Sequence, residues 1–126
     1  MDLFDTTQIA LQRAIAGTSL RQSALASNLA NADTPGYQRQ DVDFHSALKS
    51  ALAMQGSSPA QSMAAVNAVR PSITADSTAA LRYDGSNIDV DKENAAMAEN
   101  GTEQEALVDV SKARLTILRT ALGVSQ

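Results

Sequence analysis

Few side chains in this sequence could do chemistry. The only histidine, His45, lies two residues after Asp43, and no cysteine is available as a nucleophile or a thiolate ligand. Neither glycine-rich phosphate-binding motif, GxGxxG or GxxxxGKS/T, is present, and no serine stands in a known catalytic motif. We therefore interpret His45 as a surface or hydrogen-bonded histidine, and we expect no enzyme activity, no cofactor and no metal.

The acidic run DVDKEN, residues 89–94, invites comparison with a calcium-binding EF-hand loop. Such a loop has Asp or Asn at its fifth position, Gly at its sixth and Glu at its twelfth. Here those positions hold Glu93, Asn94 and Asn100. The run therefore predicts a helix N-terminus instead, where carboxylates interact favourably with the helix dipole.

The stretch ASNLANADTPGY, residues 26–37, begins as a helix and ends in a turn. Because Pro35 disfavours helical geometry at Thr34, the helix must end before that point. TPGY predicts a type II turn, with Gly36 at the position of positive φ and Tyr37 at its end.

Three Asn and Asp side chains lie just before this turn. Asn31 or Asp33 can close the helix end, either in left-handed geometry or by bonding nearby backbone. Asn28 lies one turn earlier, where helix propensity gives Asn no advantage. We predict that its amide bonds across to a partner helix and fixes the register, as a buried Asn does in coiled coils.

The composition does not favour a large core. The chain has 126 residues, of which 44% are apolar, but many of these are alanines and only 3% are aromatic. Alanine favours helix and buries little area. The net charge of −4 argues against a nucleic-acid partner. No apolar run approaches the roughly 18 residues of a membrane-spanning helix, and no polybasic run is present, so we expect no direct membrane insertion.

Apolar periodicity divides the chain into residues 1–33, 34–86 and 87–126. The first region predicts a helix over about 5–31, with a capping box from Asp5 to Gln8 and a cost of about 1 kcal/mol for Gly17. Its apolar stripe comprises Phe4, Leu11, Ile15, Thr18, Leu25 and Leu29. The last region predicts a helix over about 89–122, whose second half carries Leu107, Val110, Leu115, Ile117, Leu118, Ala121 and Leu122.

The middle region is expected to be irregular. It holds all three prolines and the polar run GSSPAQS, residues 56–62. Residues 45–54 predict a short helix, 66–74 a strand or an extended segment, and 84–87 a turn. We expect this insert to be loosely ordered, or to order only on contact with a partner.

The resulting fold class is mainly α, with an irregular, partly extended insert. We predict that the long terminal helices pair as an antiparallel coiled coil. So thin an apolar seam does not clearly offset a chain entropy of about 1–2 kcal/mol per residue. The helices therefore need neighbours, which indicates a subunit of an assembly.

Three motifs resemble those of the bacterial flagellar axial proteins, the family of rod, hook and hook-associated subunits. SNLANADTPGY, residues 27–37, is similar to their N-terminal signature, and NIDVDKENAAMAEN, 87–100, to the second signature of rod proteins. QRQDVDF, residues 38–44, resembles the B type of the short proximal rod proteins. The segment GTEQEAL, 101–107, departs from the family because it lacks the usual tyrosine.

The resemblance implies a structural subunit of the proximal rod, a helical tube that crosses the periplasm and transmits torque. Its partners would be copies of itself, other rod proteins, the membrane-ring and export-gate region at the base of the rod, and the flagellar type III export apparatus in transit. The acidic start MDLFD lacks the positive charge of a secretory signal, so we expect export without signal cleavage. The assembly residues would be Leu11, Ile15, Leu25, Asn28, Leu29, Asn31, Thr34, Pro35, Gly36, Tyr37, Asn87, Val90, Leu107, Val110, Leu115 and Leu118.

Two alternatives stay open at this point. One is another flagellar axial protein, the C type of proximal rod subunit, in which a longer and distinct loop usually follows the Asn-Ala segment. The other is a cytoplasmic helical adaptor or export chaperone, a role that the acidic charge would suit.

Overall fold

The fold is described from a computed structural model, which covers residues 6–53, 58–78 and 80–123. Its elements are α1 (Thr6–Ala30), β1 (Gln40–Asp41), α2 (His45–Ala53), α3 (Pro59–Ala68), β2 (Thr74–Ala75) and α4 (Val90–Ala121). The predicted mainly α class is confirmed, and both long terminal helices lie within two residues of their predicted bounds. The predicted contributions of Phe4 and of the Asp5 cap lie outside the described residues.

The start of α4 follows from the acidic run. Asp89 is the N-cap residue, and its side chain accepts a hydrogen bond from the backbone N–H of Lys92. Asp91 and Glu93 lie in the first turn, where the helix dipole favours negative charge. The interpretation of DVDKEN as a helix N-terminus is confirmed.

Among the described elements, α1 and α4 make the most extensive contact. Near the end of α1, Asn28 bonds to Glu93, whereas nearer its middle the Thr18 carbonyl accepts from Asn100. The contact therefore moves toward the start of α1 as it moves toward the end of α4. The residues that α1 buries are small or polar except for Leu25: Ala10, Ala14, Gly17, Thr18, Ala24 and Asn28.

The insert is more regular than the sequence predicted. Residues 59–68 form helix α3, so the expected loose segment at 56–62 and the expected strand from Val66 are both wrong where the structure describes them. The missed signal was a helix start. Ser58 caps the helix by accepting from the N–H of Gln61, and a proline follows at the first helical position, where its missing N–H costs nothing.

The other insert elements agree with expectation. The short helix predicted at 45–54 is α2. The only strand pairing among the described residues joins β1 to β2 in antiparallel register, with Gln40 opposite Ala75 and Asp41 opposite Thr74. The predicted extended character of 66–74 is thus limited to the stretch after α3. The turn predicted at 84–87 lies two residues earlier, at 82–85, with Gly85 at φ 79°.

Two small apolar clusters replace a single large core. One joins α1 to the insert helices through Ala10, Ala51, Val66 and Val69. The other comprises Ala14, Ala24, Val42 and Phe44. In the described part of the chain, no helix combines the length and the apolar character that crossing a membrane requires.

Gly17 explains how the second cluster fits against α1. A Cβ built at this position would collide with the ring of Phe44. The glycine therefore forms a seat for the aromatic ring, which is almost completely buried. The helix propensity lost at Gly17 is the cost of this close approach.

Candidate assembly site

The site begins where α1 ends in a tight turn. The N–H of Tyr37 donates to the carbonyl of Thr34 at 3.2 Å, and Gly36 has φ 73°. These are the hydrogen bond and the positive φ predicted for TPGY. The turn reverses the chain at the end of α1, so that the insert packs back against this helix.

Asn31 closes the helix end by bonding backbone. Its Nδ2 donates to the carbonyl of Ser27 at 2.9 Å, and its own N–H bonds to the last turn of α1. Among the described residues only glycines have positive φ, so the left-handed alternative is not used. Asp33 is exposed.

Asn28 makes the cross-helix bond that its position suggested. Its fully buried amide donates to Glu93 Oε2 at 2.9 Å and to the carbonyl of Gln40 at 2.7 Å. Its carbonyl oxygen accepts from the N–H of Gln40 at 2.9 Å. The hydroxyl of Tyr37 lies 3.0 Å from that of Ser27. Asn28 thus ties α1 to α4 and to the chain that follows the turn.

Arg39 bonds to residues of α4, of the β1–β2 region and of the segment before α4. Its Nε bonds to Glu93, and its Nη1 contacts Asp76 at 2.7 Å and Asp41 at 3.1 Å. Its backbone N–H donates to Asn87 Oδ1 at 2.5 Å, and its carbonyl accepts from the N–H of Asp76 at 2.8 Å. We call the group Asn28, Arg39, Asp76, Asn87 and Glu93 the polar joint.

The electrostatics of the polar joint favour its charged forms. Burial opposes the charge on Arg39, but its bonds to Glu93 and Asp41 outweigh that effect and raise its pKa. Burial likewise acts to raise the pKa of Asp41, and the Val42 N–H and the Arg39 guanidinium lower it overall. The hydroxyl and N–H of Thr78, followed by Arg39, lower the pKa of Asp76.

A second tight turn packs against the first. The N–H of Gly85 donates to the carbonyl of Arg82 at 2.9 Å, and the N–H of Gly36 donates to the carbonyl of Asp84 at 3.0 Å. A Cβ at Gly85 would meet the Cα of Gly36 at 3.5 Å. The two turns therefore form one hydrogen-bonded unit beside the polar joint.

The structure brings only some of the predicted assembly residues together. Asn28, Asn31, Thr34, Pro35, Gly36, Tyr37 and Asn87 cluster at this end, with Val90 just beyond it. Along the helices, Leu25 is buried, whereas Leu11, Ile15, Leu29, Leu107 and Leu118 are partly buried. Val110 and Leu115 are exposed, at 53% and 45%. Whether these residues contact neighbouring subunits stays a prediction.

Sequence reasoning missed the centre of the site. Glu93 was interpreted only as a helix-start carboxylate, and Arg39 and Asp76 were not singled out. One signal was available, because a mid-helix Asn predicted to bond across a seam needs a polar partner there. Nothing in the sequence showed that this partner would be Glu93.

The contacts of the polar joint connect α1, α4 and the insert. His45 is exposed, and its Nε2 lies 2.6 Å from Glu103 Oε1. Within the described ranges, no group of three or more His, Cys, Asp or Glu side chains could hold a metal ion.

Comparison with known proteins gives a consistent result. The profile of a family described as "Flagella basal body rod protein" matches residues 6–38. Flagellar basal body rod protein FlgB of Escherichia coli K12 is 33% identical over 117 aligned positions, which cover 83% of this chain and 84% of that protein. The FlgB proteins of Bacillus subtilis 168 and Borrelia hermsii are each 30% identical, covering 97% and 79% of this chain and 97% and 83% of their own lengths.

Proposed function

Because the chain belongs to the FlgB family of flagellar basal body rod proteins and is a structural subunit of that rod, we propose that it enters the proximal rod as part of a helical tube. The tube crosses the periplasm and transmits torque. Repetition of modest contacts around the tube shares the load, and heterologous contacts give an open assembly. The similarity to FlgB proteins favours this role over the C-type rod subunit and over an adaptor or chaperone.

One observation carries the proposal: the two ends of the α1–α4 pair differ. One end, which we call the closed end, satisfies its polar groups within the chain, and the other, the open end, exposes apolar side chains. The polar joint satisfies its charged groups within one chain. The second half of α4 and its C-cap residue instead expose large apolar side chains, Val110, Leu115, Ile117 and Leu122. Exposed apolar surface on a structural subunit favours contact with neighbouring subunits.

In this proposal α1 and α4 form the inner-tube domain as an antiparallel coiled coil. The Asn28–Glu93 and Asn100–Thr18 bonds support that pairing and fix its register. Leu11, Ile15, Leu25 and Leu29 pack with Leu107, Val110, Leu115 and Leu118 in the assembled tube. The turn at Gly36 directs the insert outward.

Other rod and basal body proteins are the partners that membership of the family implies. We propose in addition that the subunit meets the membrane-ring and export-gate region at the base of the rod. It would reach that place through the flagellar type III export apparatus without signal cleavage.

The same mechanism includes coupled folding. A chain that passes a narrow export channel must be largely unfolded, so α1 and α4 would complete their order only when neighbours cover them. Circular dichroism of the purified monomer tests this step. We expect partial helicity and a broad thermal transition. A fully helical monomer with a sharp cooperative transition would contradict coupled folding.

The first experiment is mass spectrometry of purified hook–basal bodies from the source cell. We expect this chain in the particle at several copies. Absence from the particle with abundance in the cytoplasm would contradict a rod subunit.

Leu29→Asp should block incorporation without blocking export, whereas Ala26→Asp, on an exposed face of α1, serves as the matched control. Normal swimming of the Leu29 variant would contradict the packing face.

A further inference from the structure

The second half of α4 carries an exposed row of bulky and basic side chains. Its members are Lys112, Leu115 and Arg119 together with the C-cap residue Leu122, all exposed and spaced by three, four and three residues. This spacing places them on one side of the helix. Lys112 lies 3.4 Å from Asp109, but both side chains are more than 70% exposed, so that pair is weak. We call this set the basic row.

The first half of α4 carries a different exposed row. Its members are Asp91, Ala95, Ala98, Thr102 and Glu105, spaced by four, three, four and three residues. Carboxylates stand at both ends, and the side chains between them are small. The Thr102 hydroxyl already donates to the carbonyl of Ala98 at 3.1 Å. It therefore needs no hydrogen-bond acceptor from a partner. We call this set the acidic row.

The two rows are complementary in charge. The acidic row carries two exposed carboxylates, Asp91 and Glu105, and the basic row carries two exposed cations, Lys112 and Arg119. They are also complementary in size at one position, since Leu115 faces Ala98 when the rows are aligned with Lys112 beside Ala95. A large side chain over a small one lets two facing helices pack closely.

The rows lie on different sides of α4, roughly 100° apart at 3.6 residues per turn. A contact between them therefore cannot be symmetric within a pair. Each subunit would use one row toward one neighbour and the other row toward the next, which gives an open array.

We infer that the basic row of one subunit docks on the acidic row of a second copy of this chain, with the two α4 helices side by side. The inference rests on the proposed function and specifies its contact. Aligning Leu115 with Ala98 of the neighbour offsets the two helices by 17 residues, about 26 Å at 1.5 Å per residue. In this register Lys112 lies about one helical turn from Asp91 of the neighbour, and Arg119 about one turn from Glu105.

Cysteine cross-linking tests this contact, because the chain has no cysteine of its own. The full-length chain with Leu115→Cys and Ala98→Cys replaces the natural one in the source cell, and isolated basal bodies are oxidised mildly. A disulfide forms only when the two Cα atoms approach within about 7 Å. We expect dimers and a ladder of higher species on a non-reducing gel.

Three controls define that result. Each single-cysteine variant gives the background. The matched control pair, Leu115→Cys with Ala26→Cys, places the second thiol on an exposed face of α1 and should give no ladder. Incorporated variants without dimers above background, or equal ladders from both pairs, would overturn the inference while leaving the rod role intact. Absence of the unaltered chain from basal bodies would instead overturn the proposed function.

A pair of charge-reversal substitutions tests the same contact when a cysteine variant is not incorporated. Arg119→Glu should reduce the swarm diameter, and the added Glu105→Lys should restore it. The two positions are fourteen residues apart in one helix, about 21 Å, so restoration cannot arise within one subunit. No restoration by Glu105→Lys would overturn the inference.

Discussion

The two ends of the α1–α4 pair satisfy their side chains in opposite ways. At the polar joint, Glu93 is 1% exposed and receives bonds from Asn28 and Arg39 of the same chain. At the far end of α4, Ile117 is 68% exposed. Buried charge is tolerated only where its partners are fixed, and at the closed end these partners of Glu93 belong to the same chain. The open end keeps apolar surface that neighbouring subunits can cover.

The comparison also shows where stability and assembly are separable. A change at the polar joint acts on the chain alone, because the bonds lie within it. A change on the second half of α4 leaves those bonds untouched and alters what a neighbour meets. Among the variants considered next, the expected loss of unfolding free energy decreases from the buried Glu93 to the exposed Leu115.

Glu93→Ala should have the largest effect. It removes the carboxylate that pairs with the mostly buried Arg39 guanidinium, and breaking a buried pair costs about 3 kcal/mol or more in unfolding free energy. Urea denaturation measures the loss. Glu99→Ala, at an exposed position of the same helix, should stay within about 0.5 kcal/mol. Equal effects of the two variants would show that the polar joint does not carry the stability of the closed end.

Gly17→Ala should destabilise the chain by about 1–3 kcal/mol, because the added methyl group collides with the Phe44 ring. Helix propensity alone predicts the opposite sign, a gain of about 1 kcal/mol. Gly101→Ala in α4 is the matched control, since nothing lies within 4 Å of its built Cβ. That variant should be stabilised in thermal denaturation. Stabilisation of both variants would mean that Phe44 does not rest on Gly17.

Acid should weaken the closed end in a defined direction. The folded-state pKa values of Asp41 and Asp76 are lowered, so their contribution is fully present above the unfolded pKa of about 4 and is lost as the pH falls through the folded value. The free energy of unfolding should be level above about pH 5 and decline below about pH 4. Asp76→Asn should reduce the slope of that decline. Stability that increases on acidification would contradict these ion pairs.

Leu115→Ala should have the smallest effect on the isolated chain, within about 0.5 kcal/mol, because the side chain is already 45% exposed. It should nevertheless reduce incorporation into the rod, measured as the amount of chain in purified basal bodies. Leu25→Ala, at a fully buried position, should instead cost about 2–5 kcal/mol of stability. A large stability loss for Leu115→Ala would contradict the division between the two ends.

Local signals in the sequence predicted much of this fold. Pro35 and Gly36 determined the turn, Asp89 marked the start of α4, and apolar periodicity located both long helices. Asn28 was correctly expected to bond across to another helix. These features depend on residues close together in the chain, where φ preferences and capping act directly.

The remaining features depend on residues far apart in the chain. Glu93 and Arg39 are 54 positions apart, and nothing local in either segment specifies the other. The role of Gly17 became visible only once Phe44 was placed on it. The missed helix α3 had a local signal in Ser58, but the surrounding polar residues resembled a linker more strongly.

The paired turns have a consequence for modularity. The N–H of Gly36 bonds to the carbonyl of Asp84. The point where the chain enters the insert is therefore hydrogen-bonded to the point where it leaves. The entropic cost of closing a loop between fixed ends increases slowly with length, by about 0.6 kcal/mol of free energy for each doubling. Loop closure therefore sets little limit on the length of what the helix pair carries. A tag or folded domain could be added at insert residues that contact neither α1 nor the polar joint while the junction keeps its geometry.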